Sequence, residues 1–127
     1  AYIVLLAHWR YGMELQELVT TVVKLWPFDA VVYPDLSKLD TPAGRLNFTL
    51  KHLLTHLQGE IGELAKLCER SDHTGCIEVT PAAVLPLARN LLVDALRLVD
   101  LVGLSGQDLV RALESWAQKK QARQQLL

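Results

Sequence analysis

The chain has only two cysteines, Cys68 and Cys76, and a single methionine, Met13. Two thiols exclude a disulfide framework, and without a second pair they make a poor zinc site. Long hydrophobic runs are also missing, because Pro, Arg, Asn or Asp interrupts each apolar stretch before the ~18 residues that a membrane helix needs. Basic residues are not in surplus: Lys and Arg number 13 against 14 Asp and Glu, a net charge of −1. A nucleic-acid partner is therefore not expected. Gly-rich phosphate loops, nucleophile elbows, zinc-finger spacings and internal repeats are all lacking. The apolar start, Ala1–Ala7, is short and has no basic flank, so it does not read as a signal peptide. These absences predict a cytoplasmic protein with neither membrane nor nucleic acid as partner.

What is present is helical. Half of the 127 residues are hydrophobic, enough for one domain with a real core. Residues 1–12 read as an N-terminal extension ahead of Met13, and 13–127 as a single domain. A first helix is expected over about 13–26, with Leu15, Leu18, Val19, Val22 and Trp26 on one face. Pro27 ends it. A long loop of about 27–41 follows, with Ala30–Tyr33 expected to be briefly extended. Thr41-Pro42 starts the second helix, which should reach Arg70, and Ser71–Val79 reads as a polar loop. Thr80-Pro81 repeats the start signal for a third helix, kinked or delayed at Pro86 and closed by Gly103. From Leu85 to Val102 this helix is apolar almost all round, which predicts burial from several sides. Ser105 and Asp108 cap a fourth helix whose expected apolar face is Leu109, Ala112, Leu113 and Trp116. The fold class is all-α.

The second helix carries the chemistry. His52, His56, Glu60 and Glu63 fall within a stripe roughly 80° wide, beside an apolar stripe of Leu46, Leu50, Leu53, Leu54, Leu57, Ile61, Leu64 and Cys68. Two carboxylates about 4 Å apart repel by roughly 4 kcal/mol at an effective dielectric of ~20. Water, a raised pKa or a hard cation such as Mg²⁺ relieves that repulsion. On the third helix Asn90, Asp94 and Arg97 form one polar stripe. Antiparallel packing would set Asn90 and Asp94 opposite Glu60 and Glu63; a local Asp94–Arg97 pair is the structural alternative. Gly59 and Gly62 inside the second helix suggest close approach of a backbone or ligand.

Glu14-Leu-Gln-Glu-Leu-Val19, Glu60-Ile-Gly-Glu-Leu64 and Leu98–Ser105 followed by Asp108–Leu113 together resemble the MazG-like all-α nucleoside triphosphate pyrophosphohydrolases over about residues 13–123. The resemblance implies a four-helix bundle that associates as a homodimer or homotetramer. It also implies Mg²⁺ (or Mn²⁺) held by E-x-x-E and by E-x-x-D on the third helix, and cleavage of a nucleoside triphosphate to monophosphate and pyrophosphate, often as housecleaning of non-standard nucleotides. Glu60 and Glu63 inherit the catalytic and metal-ligand role. The second motif departs: its Glu and Asp positions fall on Leu87 and Asn90, and Gly59 stands where a further Glu is usual. Asp94, one turn on, is the replacement carboxylate, with Asn90 a neutral ligand. Lys119, Lys120 and Arg123 are candidates for the phosphates and Trp26 for the base. Two alternatives stand beside this one: a catalytically degenerate member that binds nucleotide or a partner, and a helical bundle binding a transition metal through His52, His56, Glu60 and Glu63.

Overall fold

A computed structural model describes residues 14–126. They form four α-helices, α1 (Leu15–Leu25), α2 (Pro42–Thr74), α3 (Pro81–Leu101) and α4 (Gly106–Gln125), with a short 3-10 helix at Pro34–Lys38 and no strand among the described residues. The all-α expectation holds. The proposed extension, 1–12, lies outside the described residues. The chain divides into two compact units: one is Pro27–Leu98, and the other, among the described residues, comprises 14–26 and 99–126.

In the Pro27–Leu98 unit the connector is not extended at Ala30–Tyr33, contrary to expectation. Asp29 Oδ1 accepts the N–H groups of Val31 and Val32, each at 3.0 Å, and the Asp29 carbonyl accepts from Tyr33 at 2.8 Å. An aspartate that satisfies successive backbone donors closes a turn and overrides the β preference of the two valines. The 3-10 helix then buries Leu36.

Thr41 caps α2 as its sequence implies, with its hydroxyl accepting from Gly44 N–H at 3.0 Å. The helix passes the expected stop at Arg70 and ends at Thr74, so the Ser71–Val79 loop is shorter than its polarity suggested. Gly75, at φ 68°, supplies the left-handed stop, and its N–H bonds to the Ser71 carbonyl. The Ser71 hydroxyl accepts from Glu78 N–H at 2.8 Å and ties the loop back to the helix. Thr80 begins α3: its carbonyl accepts from Ala83 and Val84. The helix continues through Pro86 without a break.

The expected all-round burial of α3 is not what the chain shows. Leu85 is 71% exposed and Leu92 49%, while the buried residues are Asp94, Leu96 and Arg97. A helix apolar on every side offers more surface than one neighbouring helix covers. The exposed or half-buried apolar positions form seams at alternating three- and four-residue spacing: Leu50, Leu54, Leu57, Ile61, Leu64 and Cys68 on α2, and Leu85, Ala88, Leu92 and Ala95 on α3.

In the other unit, α1 and α4 meet at Gly106, where a Cβ would run into the backbone of Gln16. Gly106 N–H donates to Gln16 Oε1 at 2.6 Å. The capping box is complete: Asp108 N–H donates to the Ser105 hydroxyl, and Ser105 N–H donates to the Asp108 carboxylate. Leu109 is half-buried as expected, but Ala112, Leu113 and Trp116 are exposed. No helix among the described residues is long and apolar enough to cross a membrane.

Candidate functional site

The Pro27–Leu98 unit brings the predicted residues of α2 and α3 together in part. Asn90 Nδ2 donates to Glu60 Oε1 at 3.0 Å across the two helices, from positions half-buried on both sides. The Asn90 oxygen accepts from Arg89 Nε at 3.1 Å. Asn90 thus clamps Glu60, and its own oxygen is engaged. One turn along α3, Asp94 is 3% exposed, and its Oδ2 has no hydrogen-bond partner among the described residues. Burial raises its pKa; the charge of His56 pulls the other way, and that of Glu60 adds to the rise. Of the anticipated convergence of Glu60 and Glu63 with Asn90 and Asp94, the contact between Glu60 and Asn90 is present.

Glu63 stands apart from this group in its contacts. Its carboxylate takes Lys66 Nζ at 3.0 Å, with the Glu63 side chain 56% exposed. At i and i+3 on an open helix surface, an ammonium in reach is the nearest relief of a carboxylate's charge. Among the described residues no group of three or more His, Cys, Asp and Glu side chains is gathered to hold a metal ion. Gly59 and Gly62, expected to mark a close approach, have nothing within 4 Å of an added Cβ. Leu87, at the missing-glutamate position, is half-buried on α3.

His52 and His56 do face each other, with Nε2 atoms 3.2 Å apart. Burial, and then the charge of His56, lowers the pKa of His52. His52 also belongs to an aromatic cluster. Its ring lies 4.4 Å from that of Tyr33 and stacks with Phe48 at 6.2 Å, and Phe28 stacks on Tyr33 at 5.1 Å. The buried Arg97 guanidinium sits 4.7 Å above the Phe28 ring, a cation–π contact.

No protein-family model, curated protein or solved structure matches this chain. The site's chemistry is therefore read from its own side chains. Trp26, Lys119, Lys120 and Arg123 belong to the other unit. There Trp26 is the half-buried C-cap of α1, and the three basic residues are exposed on the last turns of α4. The aromatic cluster was missed in the sequence. Phe48 and His52 are one turn apart on α2, a legible pair, but Phe28 and Tyr33 reach them only through the turn that Asp29 builds.

Proposed function

We propose that this protein is a Mg²⁺-dependent nucleoside triphosphate pyrophosphohydrolase of MazG-like type, with Glu60 and Asp94 as the principal metal ligands. The observation that carries this reading is the buried Asp94 carboxylate, one oxygen of which has no partner among the described residues, and which feels the charge of Glu60. Two carboxylates that feel each other's charge, one of them buried, favour a hard cation. Mg²⁺ needs only one or two carboxylates, because substrate phosphates and water complete its octahedron. When bound, the ion would neutralise phosphate charge and lower the pKa of a water molecule. Asn90 fixes the direction of the Glu60 carboxylate, and burial keeps water from screening Asp94. Glu63 joins this set as the second glutamate of E-x-x-E once its carboxylate leaves Lys66.

The same reading includes self-association as a homodimer or homotetramer. Its support is the pair of apolar seams, since Ile61 is 58% and Leu54 53% exposed in the single chain. Heptad-like spacing lets identical helices interlock, so the occupant is a second copy. Two free, exposed thiols suit the reducing cytosol.

The test is pyrophosphate release over a panel of canonical and modified nucleoside triphosphates with Mg²⁺ or Mn²⁺. Glu60→Gln and Asp94→Asn should each lower kcat/KM by about 100-fold or more. A metal's charge stabilisation is worth several kcal/mol, and each ~1.4 kcal/mol is tenfold. Saturable nucleotide binding without turnover in the unaltered chain would replace hydrolysis by the non-catalytic reading that Leu87 favours.

A further inference from the structure

His52 and His56 lie one turn apart on α2, and their Nε2 atoms are 3.2 Å apart. One ring donates an N–H to the lone pair of the other. The separation also fits a shared metal: an ion about 2.0–2.1 Å from each nitrogen would subtend roughly 100° between them, close to tetrahedral. The His52 ring is oriented by its neighbours, since Tyr33 packs edge-on at 4.4 Å, Phe28 edge-on at 6.2 Å, and Phe48 stacks with it at 6.2 Å. An imidazole held in this way loses little freedom on binding an ion. The second observation is Asp94: at 3% exposure its Oδ2 has no hydrogen-bond partner among the described residues, and the carboxylate lies within electrostatic reach of His56.

We propose that the Nε2 atoms of His52 and His56 chelate a borderline divalent ion of the Zn²⁺ or Ni²⁺ class. Asp94 supplies the neighbouring negative charge, and water fills the remaining positions. Binding moves the proton of the donor ring from Nε2 to Nδ1, so both lone pairs face the ion and no proton is released from neutral rings. The nitrogen pair prefers such ions, whereas Glu60 and Asp94 with their oxygens suit Mg²⁺. The inference does not rest on the proposed nucleotide chemistry and can fail or stand without it.

Calorimetric titration of the full, chelator-treated chain with NiCl₂ and with ZnCl₂ at pH 7.5 tests it. The expected result is one ion per chain. Affinity should fall by at least about tenfold in His56→Gln, and likewise in His52→Phe, which keeps an aromatic ring in the cluster; metal affinity answers on that scale even to outer-shell changes. His73→Gln, altering an exposed histidine beside Glu69, and Glu60→Gln should each leave affinity within about threefold, too small a change for a lost ligand. No binding by the unaltered chain would overturn the proposal. So would undiminished binding by His56→Gln, or a loss that follows Glu60→Gln or His73→Gln instead.

Discussion

Burial makes the Asp94 carboxyl easier to keep protonated in the folded chain than in the unfolded one, so its pKa lies above the ordinary 3.8. A raised acid stabilises the fold fully below its unfolded value, and that contribution is lost as pH rises through the folded value. At neutral pH the carboxylate is therefore held at a cost. Asp94→Asn removes the charge and nearly keeps the shape. It should raise Tm at pH 7.5 by a few degrees, the shift that about 1 kcal/mol produces in a chain of this size. No gain is expected at pH 3, where the native group is already neutral in both states. Equal shifts in thermal melts at the two pH values would refute the burial argument. At this scale the sequence was partly legible. Helical spacing alone put Glu60 opposite Asn90, because two antiparallel helices carry complementary polar stripes. It did not show the ion pair of Glu63 with Lys66, a residue of the same helix outside the stripe.

Helix ends were readable because their chemistry is local: Thr41 and Ser105 act where their residue types predict. Glycines were not, because their reason lies in what passes nearby. Gly59 faces open space, so Gly59→Ala should stabilise the chain by about 1 kcal/mol through helix propensity alone. Gly106 abuts the backbone of Gln16, and backbone does not yield as a flexible side-chain tip does. Gly106→Ala should cost about 1–3 kcal/mol, the range for forced overpacking. Chemical denaturation of the two variants distinguishes these cases: opposite signs are expected, and a destabilised Gly59→Ala would mean that some partner does approach α2. The helix end at Thr74 was missed for a related reason. Ser71 and Thr74 were read as loop formers, yet their hydroxyls bond to the Leu67 and Arg70 carbonyls, one turn back, so they are accommodated within the helix.

On the scale of the whole molecule, hydrophobicity foretold α3 and mislocated its burial. Burial from several sides was expected, whereas Leu54, Ile61, Leu85 and Leu92 remain open in the single chain. Sequence pattern marks a face that avoids water but does not say whose surface covers it. Light scattering during size-exclusion chromatography should give at least twice the chain mass, and Ile61→Glu or Leu92→Glu should return it to one. Monomeric behaviour of the unaltered chain at high concentration would leave these seams without the proposed occupant.

The two thiols offer an internal ruler for that association. Cys68 continues the α2 seam, whereas Cys76 lies beyond the end of the helix, and both are open in the single chain. Copies that zip together along α2 would therefore shield one sulfur and spare the other. Iodoacetamide labelling across a dilution series should accelerate at Cys68 on dilution while staying constant at Cys76.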